Sequence, residues 1–222
     1  KNNSATMAGL KLIPFMLGIV SMSIFSGKQI SKHGHYKRYP IIGLVLMSIG
    51  LGLMSTLDVK TPYWHLVIFA FLVGMGLGFS MQTIVIALQN AIDFKHMGVA
   101  TSANTFFRSV GGTVGVAIFG TIYANRLAHE LPIAIQNVAT KNPAAMAGAT
   151  PEALAQLKNN TAVLQTLSPE LRDGILHAFT SGFHTVFLSA LPVALLGLFV
   201  ALFMRETPLK TGADHAAARD EA

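Results

Sequence analysis

The chain has 222 residues, of which 52% are hydrophobic and only 12% charged, with a mean hydropathy of +0.53. That charge content is about half the roughly 25% of soluble domains, so lipid rather than water is the expected surrounding medium. The formal charge of +6 comes from cations that flank apolar runs. Anionic headgroups explain them and a nucleic-acid partner does not. The absence of cysteine excludes disulfides and Cys metal sites.

A membrane-spanning helix needs about twenty mostly apolar residues. Segments 5–26, 39–57, 63–88, 99–125 and 183–204 meet that requirement. The first is interrupted by Lys11 and Pro14, and Lys11 lies near enough to its end to snorkel to the interface. The third and fifth carry no formal charge, and the fourth carries only Arg108. Between the first two lies the stretch 27–38, GKQISKHGHYKR, with Lys28, Lys32, Lys37 and Arg38 and no acid. It reads as a tight basic loop, which the positive-inside bias puts in the cytoplasm. The turn 58–62 and the long segment 126–182 then fall outside, and 90–98 and the tail 205–222 inside. The start of the chain faces out. The opening stretch KNNSATMAGLKL shows no signal-peptide pattern and no initiator Met, and the chain is expected to be part of a longer polypeptide.

The outer segment 126–182 reads as an extracytoplasmic loop with short helices. Thr150-Pro151-Glu152 and Ser168-Pro169-Glu170 each combine an N-cap, a first-turn proline and an acid. They predict helices near 151–158 and 169–180, the second running into the last span. The Ala/Gly-rich stretch 142–150 reads as a linker.

Arg108 is the most informative single residue. It lies about 15 Å into its helix, where a cation costs roughly 2.5–3.5 kcal/mol on insertion scales. Thr101, Asn104, Thr105 and Arg108 recur at helical spacing and form one polar stripe. The stripe reads either as a substrate or gating contact or as a structural arginine bonded to a neighbouring helix. Gly111, Gly112 and Gly115 follow it, and Gly74 and Gly78 form a second GxxxG face. Small residues of this kind allow close helix packing. Met75, Phe79 and Gln82 fall on overlapping faces of the third span and read either as a cavity lining for bulky apolar ligands or as ordinary packing.

Beside these features stands a family resemblance. Gly27-x-x-x-Ser31-Lys32-x-Gly34, followed by Lys37 and Arg38, resembles the loop motif of the major facilitator superfamily in its weaker C-terminal copy. The family pattern has Asp where this chain has Ser31. The stretches GLGFSMQTIVIALQN (76–90) and GVATSANTFFRSVGGTVGVAIFG (98–120), with SATMAGLKLIPFMLG (4–18) and FMRETPLKT (203–211), resemble the late helices of EmrB/QacA-type multidrug exporters with fourteen spans. The resemblance implies an all-α transmembrane fold, a five-helix C-terminal portion of a facilitator bundle. It implies proton-driven export of amphipathic small molecules by alternating access, with Met75, Phe79, Gln82, Asn104 and Arg108 at the substrate and Gly27, Ser31, Lys32, Gly34, Lys37 and Arg38 as a gating loop. The partners would be the missing N-terminal half, which would hold the proton-coupling acid, together with substrate, protons and bacterial inner-membrane lipid.

Neither a cofactor nor a metal site is expected. No G-x-S-x-G, H-E-x-x-H or P-loop pattern occurs, so an enzyme is not expected. The competing reading is a non-transporting membrane scaffold or accessory subunit.

Overall fold

The structure, a computed structural model, describes residues 9–146, 163–164 and 166–209. Its helices are α1 (Ile13–His33), α2 (Arg38–Met54), α3 (Tyr63–Ala91), α4 (Met97–Lys141) and α5 (Pro169–Leu202). Short 3-10 turns at Phe94–His96 and Pro143–Met146 flank α4. No strand occurs among the described residues, and the all-α transmembrane class expected from the sequence is confirmed. Four helices are long and apolar enough to cross a membrane; α2, with 17 residues, is a shorter apolar helix.

Three boundaries differ from the sequence reading. The first helix starts at Ile13, with Pro14 in its opening turn, where a missing N–H is harmless. It does not stop at Ser26 but runs to His33, so Gly27, Lys28, Ser31 and Lys32 lie on helix and not in a loop. Gly34 ends it, at φ 77°, with its N–H on the Ile30 carbonyl at 2.8 Å. A Cβ disfavours that left-handed geometry, hence the glycine. The apolar run ends at Ser26; the helix ends where the backbone is capped, seven residues later in numbering, at His33.

The second difference is α4, which does not end near residue 125. Its 45 residues reach about 67 Å at 1.5 Å per residue, more than twice a hydrocarbon core of about 30 Å. The third is α5, whose 34 residues start at Pro169 rather than at the apolar run. Ser168 caps it, accepting from the Leu171 N–H at 3.3 Å and donating to the Ala145 carbonyl at 2.6 Å. Glu170 in its first turn accepts from Asn142 Nδ2 at 2.9 Å. The helix read at 169–180 thus continues into the last span. The one read at 151–158 lies outside the described residues.

Packing runs α1 on α3, α3 on α2, α2 on α5 and α5 on α4. The polar ends of α4 and α5 form an antiparallel hairpin beyond the apolar spans. Its core is Leu164, Leu167, Leu171 and Ile175, against Leu131, Ile135 and Val138 of α4. Leu171 and Ile175 are fully buried, a burial typical of proteins in water. His177 Nδ1 lies 3.4 Å from Asp58 Oδ1, which ties the hairpin to the α2–α3 turn.

Leu171→Ala is expected to cost about 2–5 kcal/mol within this hairpin. Hydrogen exchange should accelerate across 131–138 and 171–179 and stay unchanged across α3. A uniform acceleration would mean that the hairpin has no core of its own.

Candidate functional site

α3 is the centre of the bundle because its glycines let two helices approach its backbone. Gly74 faces the Phe15 carbonyl and Gly78 the Ile19 carbonyl of α1; a Cβ at either would collide with those oxygens. Gly76, on the opposite face, lies against the Gly43 carbonyl of α2, and a Cβ on Gly43 would come 2.6 Å from the Gly76 carbonyl. Residues two apart on a helix point about 200° from one another, so three alternate glycines serve two neighbours. Ser23 Oγ donates to the Gly78 carbonyl at 3.1 Å, adding an interhelical bond to the seam.

The residues singled out in the third span do not share one environment. Phe79 is only 6% exposed and sits edge-on to Phe25 at 6.2 Å and stacked with Tyr39 at 6.0 Å. Met75 and Gln82 are half-buried. Gln82 meets the motif of α1: with Gly27, Lys28, Ser31, Lys32 and Ile86 it lines an open groove of about 640 Å³. An added Cβ on Gly27 would touch the Gln82 side chain at 3.6 Å, an ordinary contact. Of the remaining motif residues, Gly34 caps α1, Lys37 is half-buried and Arg38 begins α2.

The α4 stripe stands apart from this groove. Thr101, Thr105 and Arg108 are exposed and Asn104 is half-buried. Thr101 and Thr105 return their hydroxyls to the Met97 and Thr101 carbonyls, at 2.9 and 3.0 Å. That local bonding is how a hydroxyl is satisfied without water. Arg108 has no such outlet, and among the described residues it makes no ion pair. Gly111 and Gly112 have open space where a side chain would be, and Gly115 meets only the ring of Phe119 on its own helix at 4.0 Å. Phe106 and Phe107 beside them are 62% and 70% exposed.

At the end of the bundle that carries the basic residues, the tail after α5 folds back. Tyr36, 2% exposed, donates its N–H to Glu206 Oε1 at 3.0 Å and accepts the Thr207 N–H on its hydroxyl at 3.0 Å. Nothing in the sequence reading gives Glu206 or Thr207 a partner. The available signal was one acid directly after the last apolar turn, in a chain whose 28–38 stretch holds only cations.

This assembly of long apolar helices, joined through glycine seams and bearing an isolated arginine in one span, defines a multi-pass helical membrane protein. The family profile of the Major Facilitator Superfamily matches residues 2–125, and the chain belongs to that superfamily. It is 35% identical over 93% of its length to an uncharacterized MFS-type transporter of Mycobacterium tuberculosis, of which it covers 28%. It is 29% identical over 95% of its length to a tetracycline resistance determinant of Streptomyces rimosus, covering 65% of that protein. It is also 30% identical over 96% of its length to multidrug resistance protein 3 of Bacillus subtilis, covering 41% of it. No solved structure matches the chain.

Gly78→Ala should force α1 from α3, an overpacking that typically costs about 1–3 kcal/mol, whereas Gly112→Ala should leave the stability of this chain unchanged. Thermal unfolding in detergent checks both: a lowered midpoint is expected for the first substitution alone.

Proposed function

We propose that this chain is the C-terminal part of a proton-coupled exporter of amphipathic small molecules, of the fourteen-span EmrB/QacA type, working by alternating access in a bacterial inner membrane. Relatives that are named for tetracycline and multidrug resistance support the substrate class. The observation that carries the reading is Arg108. It sits deep in an apolar helix, exposed and without an ion-pair partner among the described residues. A cation in hydrocarbon is unfavourable, so that face of α4 belongs against a polar cavity or a partner helix.

In this reading the N-terminal half of the transporter covers α4. Arg108 and Asn104 then face the shared cavity, with Met75 and Gln82 at its α3 wall and Phe79 behind them. Gly111, Gly112 and Gly115 provide a smooth surface on which the two halves rock. The coupling acid resides in the other half. The basic residues Lys28, Lys32, Lys37, Arg38, Lys95 and Arg205 gather at one end of the bundle, which supports a cytoplasmic assignment for that end and an outward start. The gating role goes to Gly27, Ser31 and Lys32, which border Gln82 in the α1–α3 groove.

The test is Arg108→Ala in the complete transporter, measured as efflux of an amphipathic dye such as ethidium from energised cells. Efflux is expected to fall at least about tenfold, an effect worth roughly 1.4 kcal/mol, with the amount of protein in the membrane unchanged. Collapse of the proton gradient should stop wild-type efflux. Undiminished export by the alanine variant would remove Arg108 from the mechanism, and export that survives loss of the gradient would remove proton coupling.

A further inference from the structure

The most densely bonded polar assembly in the described residues is neither the α4 stripe nor the α1–α3 groove. It is the crossing of residues 205–208 under the ends of α1, α2 and α3. After α5 the described residues 204–209 are non-helical and pass Tyr36 and Asn90. Glu206 Oε1 accepts from Tyr36 N–H at 3.0 Å and lies 3.2 Å from His35 Nδ1. The Tyr36 hydroxyl accepts from Thr207 N–H at 3.0 Å, meets Thr207 Oγ1 at 3.0 Å and donates to the Arg205 carbonyl at 3.4 Å. Asn90 Nδ2 donates to Thr207 Oγ1 and the Pro208 carbonyl, both at 3.0 Å, and to the Thr207 carbonyl at 3.3 Å.

Chain order makes this arrangement informative. Tyr36 lies in the α1–α2 loop, Asn90 in the last turn of α3, and the tail follows α5. One short strap thus joins the ends of four helices, and none of these bonds reaches α4. The strap is also specific in its chemistry. Tyr36 is 2% exposed and Asn90 7%, so their polar groups need internal partners, and the tail supplies them. Glu206 brings a carboxylate to the loop that precedes Lys37 and Arg38.

We infer that Glu206 and Thr207 are positioning residues: they clasp the α1–α2 loop and α3 to α5, so that these helices, with the α4 that packs on α5, move as one body against whatever covers α4. The clasp itself stands on the bonds above. Its role in transport rests on the function proposed in the preceding subsection.

The test is hydrogen exchange, read by mass spectrometry on the complete transporter in nanodiscs, paired with dye efflux at matched membrane levels. Glu206→Ala is expected to accelerate exchange in the 34–38 segment by at least about tenfold, since Tyr36 N–H loses its acceptor. Exchange in 169–182 should not change. Glu206→Gln keeps an oxygen acceptor and should restore both slow exchange and efflux, while Glu206→Ala lowers efflux several-fold. Tyr36→Phe, which keeps the buried ring, should release the Thr207 N–H and accelerate exchange in 205–209 instead. Unchanged exchange in both Glu206→Ala and Tyr36→Phe would overturn the clasp. A Gln variant as fast-exchanging as the Ala variant would overturn the assigned acceptor bond. Faster exchange with full efflux would overturn the positioning role. If the wild type exports no dye, the transport reading fails, and the exchange measurements still decide the clasp.

Discussion

Contact between the backbones of α1, α3 and α2 is the constraint from which the rest of the bundle follows. In hydrocarbon no hydrophobic force drives helices together, so association depends on close van der Waals contact and on the few polar bonds that reach across. α3 meets this requirement on two faces with alternate glycines, Gly74 and Gly78 toward α1 and Gly76 toward α2. α2 in turn carries α5, and α5 carries α4. Each helix further from α3 is less covered, and within the apolar segment of α4 nothing is buried.

The same chain obeys a second packing rule outside the apolar spans. The hairpin built by the far ends of α4 and α5 buries Leu171 and Ile175 completely, whereas the spans expose Val116 to 76% and Leu196 to 63%. Water expels large aliphatic side chains and lipid does not. The transition falls within single continuous helices, which explains why neither stops at the membrane boundary. A helix ends for lack of backbone partners or at a cap such as Ser168 or Gly34, not because its solvent changes.

This distinction also explains what the sequence made legible. Apolar length identified the all-α class and the four helices long enough to cross a membrane, and the Ser168-Pro169-Glu170 pattern identified the start of α5, because the capping chemistry is local. Helix ends that depend on amphipathic continuation escaped: residues 27–33 and 126–141 are polar enough to read as loops yet remain helical. Gly74 and Gly78 were visible as a spaced pair, but Gly76 and Gly43 acquire meaning only once two helices are placed. The polar stripe of Asn104 and Arg108 was readable from periodicity, and its exposure was not. Glu206 and Thr207 lie some 170 residues from Tyr36, and no local pattern links such distant partners.

Alternating access as proposed requires the uncovered face of α4 to be an interface and not a lipid-facing surface. Spin labels on cysteines at Gly112 of α4 and Leu196 of α5, read by accessibility to oxygen in bilayers of the complete transporter, address this directly. The expected result is a strongly oxygen-accessible label at 196 and a shielded or water-accessible one at 112. A label at 112 as open to lipid-dissolved oxygen as the one at 196 would contradict the account.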